Sequence, residues 1–164
     1  KRKGFHDALP SIIQSLENYP IHLVLCGGDA SDYFDLICAG VTSFHPLSKV
    51  QSLGPLKSED MHFFYPKLDF ILHFARYDNS PNVITEALCS GVPAVVLDDA
   101  GSPEHIRLSS AGFVLDEVHQ LNSIVKLICS GSVNISKLKL SALRYSKIAL
   151  SPKAMAVSYS KLLT

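Results

Sequence analysis

Apolar residues at positions 5, 8, 9, 12, 13 and 16 recur at helical spacing and predict a helix over 5–16. The next apolar run, His22-Leu23-Val24-Leu25-Cys26, is continuous and closes on Gly27-Gly28. That is the pattern of a buried strand entering a tight turn. The two patterns then alternate. Helices are expected at 32–39, from Ser58, at 81–90 and at 103–110; strands are expected at 50–53, 69–74, 93–97 and 112–115. Beyond Val118 the chain reads as two or three helices. Strands alternating with helices imply β-α-β units and a parallel sheet. The strand runs are apolar throughout, as expected where both faces are covered. No linker, repeat or low-complexity segment breaks the pattern, so residues 1–164 are read as one doubly wound α/β domain. Ligands of such sheets sit beyond the carboxyl ends of the strands, so chemistry is sought just after each strand.

Composition narrows the function classes. With 47% apolar and 18% charged residues, the chain can build a sizeable core and is not a disordered tail. Fifteen basic residues balance fifteen acidic ones, which argues against a non-specific nucleic-acid or anionic-membrane binder but leaves room for one local anion site. No apolar run approaches the roughly 18–20 residues of a membrane span. The opening Lys1-Arg2-Lys3-Gly4 continues as Phe5-His6-Asp7, so no signal peptide is expected, and the lack of an initiator Met suggests a piece of something longer. Cys26, Cys38, Cys89 and Cys129 all lie in apolar runs and form no C-x-x-C pair. They are read as buried, reduced thiols of a cytoplasmic protein. The seven histidines are scattered, and no metal site is expected.

The candidate chemistry follows the strand DFILHF. Ser80 suits an N-cap and Pro81 a first helical residue. The N–H groups of Asn82 and Val83 then fall among the unpaired donors of the first turn, where the helix dipole adds partial positive charge. Together these make a phosphate site at the carboxyl end of a strand. Glu86 lies four residues after Asn82, on the same helix face, and its carboxylate leans back toward that site. A carboxylate beside a phosphate calls for hydroxyl partners, and a ribose diol supplies them. Asp78, just before the helix, could accept from a second set of hydroxyls, such as those of a sugar. Val83, Ile84, Ala87 and Leu88 form the expected buried face. A plain helix start is the other reading, because Ser-Pro also opens the helices expected at Ser102-Pro103 and Ser151-Pro152.

This stretch resembles the C-terminal, donor-binding domain of family 4 (group 1) glycosyltransferases. Those enzymes have the GT-B fold, two Rossmann-like domains facing a cleft. The family's Glu-x7-Glu followed by Ala and Gly-x-Pro is matched by Asp78-x7-Glu86, Ala87 and Gly91-Val92-Pro93. Further matches run in order along the chain: Lys3-Gly4-Phe5, Leu25-Cys26-Gly27-Gly28, Val50 to Leu56, Ala100 to Ile106 and Gly112 to Leu115. The resemblance implies that Glu86 bonds the ribose hydroxyls and that Asp78 holds hydroxyls of the hexose, with Asn79 among the residues that bind the donor. The amides of Asn82 and Val83 would hold the diphosphate, with Lys3 as its cation. Gly27, Gly54 and Leu56 would line the nucleotide at the neighbouring strand ends. It further implies a retaining, metal-independent transfer of a hexose from a nucleoside-diphosphate sugar to a glycan, lipid-linked or polysaccharide hydroxyl. No cofactor beyond that donor is expected. An N-terminal acceptor domain of roughly 150–200 residues would be absent from this chain, and with it a strand ahead of Lys3 bearing the family's Arg. The fragment alone is expected to bind nucleotide weakly and catalyse little. A peripheral place at the inner membrane face is a further expectation.

Two rival functions share the architecture: a nucleotide-sugar epimerase, and a non-catalytic binding module. Asp78 in place of Glu and Ala75 in place of Ser favour the second. Elsewhere the plainer readings prevail. Glu104 is read as a first-turn dipole partner, Asp98-Asp99 as a solvated rim and His73 as a core histidine. The lysine-rich stretch 137–147 is read as a solvated face, with anionic lipid as its other reading.

Overall fold

The computed structural model describes residues 4–41, 45–76, 81–99, 102–154 and 156. Helices and strands alternate as α1 (Phe5–Asn18), β1 (Leu23–Cys26), α2 (Ala30–Gly40), β2 (Val50–Gly54), α3 (Ser58–Phe64), β3 (Ile71–His73), α4 (Asn82–Cys89), β4 (Ala94–Leu97), α5 (Ser102–Ser109) and β5 (Gly112–Leu115). Two further helices, α6 (Leu121–Cys129) and α7 (Ile135–Tyr145), follow, and α7 runs on through a wide π-type turn at Ser146–Leu150. All strand pairings are parallel. Leu23 lies opposite Val50 in one ladder; Ile71 lies opposite Ala94, and Ala94 opposite Gly112, in the other.

The core shows why the chain alternates. Val95 and Leu97 point to one side of β4, joining Ala8, Ile12 and Leu16 of α1 and Val125 of α6. Ala94 and Val96 point to the other, joining Ile84 and Leu88 of α4, Ile106 of α5 and Ala142 of α7. Helices therefore cover both faces, as a doubly wound sheet requires. Each large side chain buried this way contributes about 1.5–3 kcal/mol.

Two expectations need correction. Full coverage of every strand holds only for β4, whose four residues are all buried; in β2, Gln51, Ser52 and Leu53 are exposed. The cause is topological. Among the described residues the strands form two ladders, β1–β2 and β3–β4–β5, so β2 is an edge and β1 has a single neighbour. The cysteines are free, but Cys26, Cys89 and Cys129 are exposed rather than buried. Each is the last residue of its element, where an apolar run meets solvent.

The interruption between the ladders lies beside the start of α1. Gly4 caps that helix in the left-handed region (φ 68°), and a Cβ there would collide with the Phe74 carbonyl just beyond β3. Only glycine meets both demands.

Candidate functional site

The site gathers where β1, β2 and β3 end. α4 starts at Asn82, one residue later than its sequence suggests, because Pro81 stays extended (ψ 115°) and serves as the cap. The N–H of Ile84 closes back on the Pro81 carbonyl at 3.0 Å. The N–H groups of Asn82 and Val83, at the first two helical positions, have no intrahelical acceptor. Asn82 is exposed and Val83 half-buried, while Ile84, Ala87 and Leu88 are fully buried. The amphipathic pattern thus anchors α4 by one face and leaves its first turn at the open rim. Thr85 Oγ1 donates to the Asn82 carbonyl at 2.9 Å.

Glu86 occupies the second turn and is exposed. Tyr65, on the short 3-10 turn Tyr65–Lys67 between α3 and β3, is only 3% exposed. Its hydroxyl donates to Glu86 Oε2 at 3.0 Å. Burial, then the bond to Glu86 and its charge, raise the Tyr65 pKa well above the ordinary phenol value, so the proton stays on the oxygen. The carboxylate is therefore held at one oxygen and keeps acceptor capacity for a ligand.

The β1–β2 ladder ends in two glycines. The Gly27 N–H donates to the Gly54 carbonyl at 2.8 Å, and beyond the immediate chain neighbours no heavy atom lies within 4 Å of where a Cβ would stand on either. Leu56 follows, half-buried. The arrangement is an open shelf at the end of the β1–β2 ladder, with backbone rather than side chains at its lip.

Of the residues singled out from sequence, Glu86, Asn82, Val83, Gly27, Gly54 and Leu56 all stand at this carboxyl-end rim. Lys3, Asp78 and Asn79 lie outside the described residues, as does Ser80. Glu104 sits in the first turn of α5, and His73 is half-buried in β3. Asp98 pairs with Arg107, and Asp99 Oδ2 lies 3.9 Å from Arg76, so these aspartates form an ion-paired rim. Among the described residues no group of three His, Cys, Asp or Glu side chains could hold a metal ion.

Two residues went unremarked in the sequence. Tyr65 carried a readable signal: a tyrosine in an otherwise apolar environment needs a partner for its hydroxyl. Arg76 lies three residues beyond the end of β3, where chemistry was to be sought. It reaches Asp7 at 3.2 Å and helps line a polar cleft of 460 Å³ with Asp98, Asp99, Asp116 and His119. Its charge is spent on two carboxylates.

The fold has counterparts in known proteins. The C-terminal domain of the group 1 glycosyl transferase LpcC from Francisella tularensis superposes on 92% of this chain with TM-score 0.74 and 18% identity; the chain covers 81% of that domain. Alr3699/HepE from Anabaena matches 98% of the chain with TM-score 0.73 and 20% identity, and the chain covers 46% of it. That protein has been crystallised with UDP and with UDP-glucose. The Vi polysaccharide biosynthesis protein VipC/TviE of Salmonella typhi is 34% identical over 65 residues, 40% of this chain, which spans 11% of that relative's length. Residues 1–131 match the family described as glycosyl transferases group 1, and the chain belongs to that family.

Proposed function

We propose that this chain is the donor-binding half of a retaining, metal-independent hexosyltransferase. The whole protein would transfer a hexose from a nucleoside-diphosphate sugar to a hydroxyl of a glycan, lipid-linked sugar or surface polysaccharide. The single observation that carries the reading is the geometry of α4: its first turn opens at the carboxyl end of β3, and a surface carboxylate, Glu86, is fixed one turn in. Helix amides and dipole suit a diphosphate, and the carboxylate suits a ribose diol. Gly27, Gly54 and Leu56 offer a flat shelf for the base. Asp78 would hold hydroxyls of the hexose, with Asn79 among the residues that bind the donor.

In the reaction, the bond from the anomeric carbon to the diphosphate oxygen breaks. A bond to the acceptor oxygen forms on the same face, and the proton of the acceptor hydroxyl passes to the leaving diphosphate. Negative charge develops on the leaving diphosphate, where the amides of Asn82 and Val83 and the Lys3 cation would stabilise it. The acceptor would sit on a preceding N-terminal domain. We further propose a cytoplasmic location with peripheral contact at the inner membrane face; no helix among the described residues is long and apolar enough to cross a membrane.

A thermal-shift panel of UDP, GDP and ADP sugars tests the reading. A ligand at 100 times its Kd should raise stability by about 2.7 kcal/mol. UDP is the first choice, given the Anabaena complexes. No shift with any member, or efficient transfer by this chain alone, would overturn it.

A further inference from the structure

We infer that Tyr65 is a positioning residue that aims the Glu86 carboxylate at two vicinal ribose hydroxyls and so makes the ribose diol a determinant of nucleotide affinity. The inference rests on the reading above that the α4 rim holds a nucleoside diphosphate. Its basis is the contrast within the pair. The Tyr65 ring is almost fully buried, in one cluster with Ile71, Ile84 and Leu88, so its hydroxyl is fixed in space. Glu86 is exposed, and its flexible side chain would otherwise sample several rotamers. A bond of 3.0 Å from the rigid hydroxyl to Oε2 selects one of them.

The chemistry of the fixed carboxylate follows. An ionised carboxylate only accepts hydrogen bonds. The Tyr65 hydrogen is already spent on Oε2, so what remains is acceptor capacity on Oε1 and one lone pair of Oε2. Two donors a short distance apart fill it, as the 2′ and 3′ hydroxyls of a ribose would. A ribose without these hydroxyls forgoes both bonds and leaves the carboxylate to water, and a ribose phosphate would be repelled by it. The raised Tyr65 pKa keeps the hydroxyl a donor through neutral and moderately alkaline pH.

The test is a calorimetric titration of the 164-residue chain with UDP and with 2′,3′-dideoxyuridine diphosphate. It is run on the native chain, Tyr65→Phe, Glu86→Ala and the double variant. Tyr65→Phe should weaken UDP about tenfold, as expected for a lost bond to a charged group. It should leave the Kd of the dideoxy analogue unchanged, and cost nothing further in the Glu86→Ala background. Equal weakening of both ligands, no weakening of UDP, or additive losses in the double variant would overturn the inference. Glu86→Gln supplies the same comparison without touching the core, should Tyr65→Phe unfold: only one of its two ends still accepts, so the preference for UDP over the analogue should fall, and an undiminished preference counts against the inference. A native chain that binds none of UDP, GDP and ADP overturns the donor-site reading and this inference with it.

Discussion

The two halves of the sheet differ in how much protein stands behind them. The β3–β4–β5 half is buried through its centre, with β4 covered on both faces by helices. The β1–β2 half is a two-stranded ribbon whose outer strand is largely exposed. Yet the rim draws on both. The Gly27–Gly54 shelf comes from the thin half, and the Tyr65–Glu86 pair from the thick one. Rigidity is thus concentrated where the carboxylate and helix dipole must be held to a fraction of an ångström. The shelf, which needs only backbone and open space, sits where stability is cheapest to give up.

The sharpest way to break this comparison is to make the same deletion in both halves. Leu97→Ala, at a buried position of β4, should cost about 3 kcal/mol, whereas Leu53→Ala on exposed β2 should cost about 0.5 kcal/mol or less. Urea unfolding of both variants measures the difference, and similar losses would mean that the halves are equally supported. Next in size, Glu86→Ala should weaken nucleoside-diphosphate binding about tenfold or more and cost about 1–2 kcal/mol of stability, because the buried Tyr65 hydroxyl loses its partner. A stability loss with nucleotide affinity unchanged would recast Glu86 as structural.

The alkaline limb sharpens the account of Tyr65. Its folded pKa lies above the ordinary value of 10.0, so above pH 10 the unfolded chain binds fewer protons than the folded one. The corresponding stability is complete below pH 10 and is lost as pH rises beyond it. Tyr65→Phe should flatten that decline in a pH series of unfolding curves. Tyr33 and Tyr145, also raised by burial, would leave a residual slope. The smallest effect belongs to the rim: Asp98→Asn removes an exposed ion pair with Arg107 and should change stability by less than about 1 kcal/mol, with nucleotide affinity unaltered.

Much of this was legible in the chain because periodicity reports burial. The alternation of apolar runs gave every helix and strand from α1 to β5 within a few residues, and Glu86 fell on the same face as Asn82 because i and i+4 must. What escaped was non-local. Nothing in the run LVLC or in VQSLG says which strand lies alone at an edge; that depends on the pairing of distant segments. The cysteines were misjudged because an apolar run predicts burial of its middle, not of its last residue. Tyr65 escaped because its partner is 21 residues away and comes within reach only when α4 packs over β3. The cap of α4 slipped by one residue because Ser-Pro fits two registers equally well.

The central claim is that the first turn of α4, the Glu86 carboxylate and the Gly27–Gly54 shelf form one nucleoside-diphosphate site. Amide chemical-shift mapping of the 164-residue chain during titration with UDP tests it most directly. The account predicts that the largest perturbations fall on Gly27, Gly54, Asn82, Val83 and Glu86. Perturbations confined to the cleft around Arg76 and His119, or none at saturating UDP, would contradict it.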